Sequence, residues 1–168
     1  MDDGAFTVLF GCSDSRLAAE IIFDRGLGDP FVVRTAGHVM GPEVIGSIEY
    51  GVDILNCPLV VVLGHEACGA VGAALEGGVA PAGYVRDVVE RVTPSVLSAR
   101  AAGRVSGEEI LDEHIRHTVD LLLDRSRLLA EKVAAGHAAV TGLCYGLADG
   151  TARLVATRGL DVPVTTAP

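Results

Sequence analysis

Two short stretches of this chain hold the side chains whose types and spacing suit chemistry. Gly11-Cys12-Ser13-Asp14-Ser15-Arg16 gathers a thiol, a carboxylate and a guanidinium, and His65-Glu66-Ala67-Cys68-Gly69 adds an imidazole and a second thiol three residues apart. Two thiolates, an imidazole and a fourth position taken by water or a carboxylate make a tetrahedral zinc site. Considered singly, a cysteine is a small core residue and a histidine a satisfied one. The set Cys12, Asp14, His65 and Cys68 is a different matter, and it predicts about one zinc ion per chain. The spacing places His65 and Cys68 on one face of a first helical turn, whose N-terminus favours a thiolate at Cys68.

Each stretch follows an apolar run, Phe6 to Phe10 in one case and Leu59 to Leu63 in the other, and precedes an apolar helix pattern. Both therefore read as strand tips turning into helices. A second strand is expected over Phe31 to Thr35, after the breakers of Gly26 to Pro30. Gly41-Pro42 opens a helix carrying Val44, Ile48, Val52 and Leu55 on one face. Glu76 to Pro81 reads as a loop, and Thr93-Pro94 as the start of a new segment after the pairs Arg86/Glu90 and Asp87/Arg91. Ser106-Gly107-Glu108-Glu109 has the form of a capping box and introduces one long helix closed by Gly136. His114 and His117 on that helix read as surface residues. Ala138 to Tyr145 and Thr151 to Thr157 are the last strands, joined by a tight turn at Leu147 to Gly150 and so antiparallel.

Strand–helix alternation of this kind predicts an α/β fold, an open, mostly parallel five-stranded sheet flanked by helices, with the last strand antiparallel. In the order 2-1-3-4-5 the connections change direction between strands 1 and 3, and ligands bind at the carboxyl ends of the strands there. That rule alone brings Cys12 beside His65 and Cys68.

With 168 residues the chain suits one domain with a sizeable core. A net charge of -9 and a pI near 4.9 argue against a nucleic-acid partner and against attachment to anionic lipid. No apolar run reaches the length of a membrane span and Met1-Asp2-Asp3 is acidic where a secretory signal is basic, so a cytoplasmic protein is expected. The four cysteines point to metal or free thiols, with Cys57 and Cys144 as core residues. Hydrophobic residues make up 49% of the chain and charged ones only 21%, a lean surface for a monomer, which predicts a homodimer or a multiple of it.

Taken in order, Cys12-Ser13-Asp14-Ser15-Arg16, Arg34-Thr35-Ala36-Gly37, Ser47-Ile48-Glu49-Tyr50 and Gly64-His65-Glu66-Ala67-Cys68-Gly69 resemble the motifs of the β-class carbonic anhydrases. The resemblance extends over nearly the whole chain and implies the same strand order. It implies hydration of carbon dioxide to bicarbonate and a proton by a zinc-bound hydroxide, with Cys12, His65 and Cys68 as metal ligands. By the same resemblance, Asp14 either accepts a hydrogen bond from that hydroxide or, in a closed state, takes the fourth coordination position, and Arg16 pairs with it. Phe31, Gly37 and Tyr50 match residues around the apolar substrate pocket, and His38 follows as an exposed loop histidine able to relay protons. Members usually carry an N-terminal helical arm and a glutamine shortly before strand 1. Here eleven residues precede Cys12 and Asp3 stands near the glutamine position, so 1–168 is expected to be a single zinc domain without that arm. A hydrolase of carbonyl sulfide or carbon disulfide could use the same ligands, and a structural zinc protein would close the site with Asp14.

Overall fold

A computed structural model of the chain describes residues 4–78 and 81–160. The expectation for Asp3 lies outside the described residues. Five strands, β1 (Thr7–Cys12), β2 (Pro30–Thr35), β3 (Leu59–His65), β4 (Ala139–Tyr145) and β5 (Ala152–Arg158), form a single sheet in the order β2-β1-β3-β4-β5. β2, β1, β3 and β4 run parallel, and β5 pairs antiparallel with β4 across the Leu147 to Gly150 turn. This is the predicted sheet, with the predicted change of direction between β1 and β3.

Strand alternation divides the sheet into two unequal faces. Val8, Phe10, Val60, Val62 and Val140 point into the main core, where they meet α2 (Pro42–Asp53), α3 (Gly69–Glu76), α4 (Val85–Ala101), α5 (Gly107–Arg125) and α6 (Arg127–Ala134). Among the described residues the opposite face is covered by the short α1 (Ala19–Ile22), with Leu9, Ala19 and Leu63 as a smaller buried cluster. α5 approaches β3 and β4 closely because Gly64 and Gly142 leave a notch for Ile115. A Cβ at Gly64 would stand 2.5 Å from Ile115 Cδ1, and one at Gly142 2.6 Å from Ile115 Cγ2.

Several boundaries differ from the sequence reading, each for a local reason. Pro94 starts no new segment: α4 runs through it with Val92, Ser95, Val96 and Ala99 buried, so packing on the core outweighs the cost of a helix-interior proline, about 3 kcal/mol. Arg91 pairs with the Met40 carbonyl at 2.7 Å instead of Asp87, while Arg86 and Glu90 meet at 2.6 Å as expected. The capping box forms, but the long helix after it breaks at Ser126. Buried Ser126 caps α6 by accepting from Leu129 N–H and donates to Glu49 Oε1 at 2.6 Å, so its extended backbone is held by hydrogen bonds that a continuous helix would forgo.

Candidate metal centre

Cys12 closes β1 and His65 closes β3, so the parallel register of these neighbours brings both to one edge of the sheet. Cys68 is the N-cap of α3, one turn away from His65. The helical placement expected for His65 and Cys68 is therefore wrong. His65 belongs to the strand, and the chain bends back at Ala67, a non-glycine residue with φ 52. That left-handed conformation costs about 1–2 kcal/mol. It turns Cys68 towards His65 within a two-residue connection.

The Cys12 sulfur, a His65 ring nitrogen and the Cys68 sulfur all lie within 4.8 Å of one another, and all three residues are buried. Tetrahedral zinc with the usual bond lengths needs donor separations of about 3.5–3.8 Å, within reach of small side-chain adjustments. His65 Nδ1 lies 2.8 Å from the Glu66 carbonyl oxygen, to which it must donate. That fixes the tautomer and leaves Nε2 as a buried nitrogen with its lone pair free and no hydrogen-bond partner. An orphaned imidazole nitrogen beside two thiols is the observation that fits these residues to a zinc ion.

Their proton affinities follow from the same crowding. The hydrogen bond from Cys68 pushes the Cys12 thiol down against the opposing effect of burial, with His65, Asp14 and Gly37 adding to the fall. The same bond, together with burial, pushes Cys68 up. As a pair the two sulfurs share one proton, which a dication would displace. Burial pulls the His65 ring down, but the Cys12 sulfur, the Glu66 carbonyl and Asp14 outweigh it, so the net direction is up.

Asp14 sits in the turn after β1. Arg16 donates from Nε to Asp14 Oδ1 at 2.9 Å and from its terminal nitrogen to Oδ2 at 2.6 Å, and the Arg16 backbone N–H adds a bond to Oδ1 at 3.0 Å. The guanidinium and amide hold the carboxyl well below the ordinary carboxylate range. Asp14 Oδ2 also lies 4.0 Å from His65 Nε2, at the rim of the donor cluster. Arg34 holds the loop from beneath, with Nε on the Cys12 carbonyl at 2.9 Å and a second nitrogen on the Asp14 carbonyl.

Gly37, in the 3₁₀ turn Ala36–His38, approaches from the third side. Its φ of 63 is the left-handed region glycine favours, and its N–H points at Cys12 Sγ, 3.3 Å away. His38 is fully buried between Phe10 and His114, and neither ring nitrogen has a partner. It is not the exposed loop histidine expected from the sequence. His114 is buried too, against Ser95 and the Gly37 carbonyl, which corrects its surface reading, while His117 is half-buried. Phe31 and Tyr50 are not brought to the cluster. Their rings pack at 6.0 Å on each other, and Phe31 pairs with Val8, four residues or about 13 Å below Cys12 along the sheet.

Residues 7–152 match the model of the family described as Carbonic anhydrase. Carbonic anhydrase 2 of Mycobacterium tuberculosis is 57% identical over 150 residues, which span 88% of this chain and 72% of that protein. The chain belongs to the β-class carbonic anhydrase family. Carbonic anhydrase of Mycolicibacterium smegmatis is 56% identical over 150 residues, 88% of this chain and 73% of that one. Among solved structures, one of two tetrameric β-carbonic anhydrases from Sordaria macrospora superposes with a TM-score of 0.83 at 21% identity, covering 92% of this chain and 82% of that chain. A Coccomyxa β-carbonic anhydrase in complex with acetazolamide superposes at 0.82 with 23% identity, covering 90% and 72%. Both share the fold of the family.

Arg34, Ser95 and His114 escaped the sequence reading as site residues. Arg34 had a signal: it is the last but one residue of β2, in register with Gly11, so the strand order alone sets it under the Cys12 to Arg16 turn. His114 had none, because its carbonyl partner lies 77 residues away in the chain.

Proposed function

We propose that this protein catalyses the reversible hydration of carbon dioxide to bicarbonate and a proton, with one zinc ion per chain held by Cys12, His65 and Cys68. The observation that carries the reading is the buried, partner-free His65 Nε2 beside two thiols, next to an ion-paired carboxylate, in a chain of this family. A zinc ion held by Cys12, His65 and Cys68 would supply the chemistry by acidifying a water to give a nucleophile near neutral pH.

The chain's own residues supply the rest. Two thiolates cancel the charge of a dication, and the Gly37 N–H on Cys12 Sγ restores some of it by drawing charge off the sulfur. Asp14, held ionised by Arg16, is too weak a base to keep a proton. It serves as an acceptor that orients the nucleophile's hydrogen from the rim of the cluster. With both its oxygens on Arg16, Asp14 is drawn off the metal position, which favours an open site over a structural one.

Phe31 and Tyr50 reach no site within one chain, and Tyr50 remains 50% exposed. We assign them to an apolar intersubunit face and propose a homodimer or a multiple of it, in which a second copy brings this pair to a substrate pocket. No described helix is long and apolar enough to cross a membrane. We propose a cytoplasmic setting, where Cys12 and Cys68 would stay reduced for metal binding. The test is stopped-flow hydration of carbon dioxide on protein of measured zinc content. Zinc-loaded protein that does not accelerate the reaction would overturn the assignment.

A further inference from the structure

His114, on α5, makes two hydrogen bonds whose directions are fixed by chemistry. Its Nε2 stands 2.9 Å from the Gly37 carbonyl oxygen, which can only accept, so Nε2 carries the proton. Nδ1 is then the acceptor and takes the Ser95 hydroxyl at 2.9 Å. Burial pushes the ring down to about 4, so it is neutral near pH 7 with its single N–H committed to Gly37. His38 closes the other side, its ring 4.4 Å from that of His114. The ring has one tautomer, held by both of its nitrogens.

The residue it grips is the one that donates to Cys12 Sγ. Gly37 has no side chain to anchor it. Its left-handed conformation is held at the carbonyl by His114 and at the amide by the sulfur itself. Without the His114 donor the turn could relax and the N–H swing off Cys12. We infer that His114, oriented by Ser95, is a positioning residue for the Cys12 sulfur, acting through Gly37 to set how strongly that sulfur binds and screens the metal. The inference rests on the reading of Cys12, His65 and Cys68 as zinc ligands.

The experiment measures zinc affinity by chelator competition, and the sulfur-to-metal charge-transfer band of the cobalt(II)-substituted protein, for wild type, His114→Leu, His114→Gln, Ser95→Ala and Cys12→Ser. Leucine fills the space without a donor, while the glutamine amide can present an N–H where Nε2 stands. Weakening of about tenfold to a hundredfold with a shifted band is expected for His114→Leu, and recovery to within about threefold of wild type for His114→Gln. A folded His114→Leu with wild-type affinity and band would overturn the inference. So would a glutamine variant no better than leucine, since packing and not the donor would then matter. Should His114→Leu fail to fold, Ser95→Ala decides, with wild-type affinity and band counting against the inference and weaker binding for it. Cys12→Ser separates the two readings: if it keeps zinc, the ligand assignment itself fails, and if it loses zinc while the His114 variants do not, only the positioning role does.

Discussion

Gly37→Ala tests how tightly the turn beside Cys12 is built. The substitution places a Cβ on a residue at φ 63, which costs about 1–2 kcal/mol for an L side chain. The new atom would stand 2.6 Å from the Ala70 Cβ and 3.6 Å from Val92 Cγ2. Carbon contacts relax at about 3.5–4.0 Å, so the Ala70 side of the contact must move by about 1 Å. Ala70 lies in the first turn of α3, the helix that Cys68 caps, so the movement pulls on a metal ligand. Overpacking of this kind adds about 1–3 kcal/mol, for a total of about 2–5 kcal/mol. Urea unfolding of metal-free protein reads that number, and chelator competition reads the accompanying loss of zinc affinity. Ala70→Gly separates the two contributions: combined with Gly37→Ala it should recover the steric part and leave the backbone part, after allowance for about 1 kcal/mol lost by glycine in a helix. A Gly37→Ala protein within about 0.5 kcal/mol of wild type would refute the reasoning.

Cys68→Ser should purify with little zinc and lose the stabilisation that added zinc gives wild type, as metal analysis and melting with and without zinc will read. Asp14→Ala should keep zinc and lower the hydration rate about a hundredfold, because the oriented acceptor is gone; an unchanged rate at every pH would remove Asp14 from the mechanism. Burial, the main cause, holds His114 down at about 4 in the folded chain against about 6.5 unfolded, a difference of about 3 kcal/mol. The folded pKa is the lower one, so the unfolded chain takes up the proton first. Stability is then full above about pH 6.5 and falls as pH drops towards about 4, with His38 contributing in the same direction. Urea midpoints of metal-free protein across that window should fall less steeply for His114→Gln than for wild type.

The sheet was legible because its signals are local and agree. Short apolar runs bounded by glycine and proline mark the strands, and the antiparallel β4–β5 pair follows from a four-residue turn. The helices were less legible because their boundaries depend on partners remote in the chain. Ser126 breaks a helix whose apolar pattern continues because Glu49 lies 77 residues away, and Pro94 fails to break one because its neighbours pack on the core. The sequence carries the pattern, and the competing contact exists only in three dimensions.

The metal centre divides the same way. Cys12, His65, Cys68, Asp14 and Arg16 could be read because each sits at a strand tip or beside one, where topology alone brings them to one edge. What the sequence does not reveal is how that edge is held. His38 and His114 look like polar residues suited to a surface, yet each is buried, and burial of an imidazole is tolerated only where it is neutral and its surroundings are fixed. His114 has that environment in Ser95 and Gly37, neither of which stands near it in the chain. The polarity that made it read as exposed is what lets it reach Gly37 with a directed N–H. A leucine there would have been read correctly as core and would have left Gly37, and the amide it turns towards Cys12, without a grip.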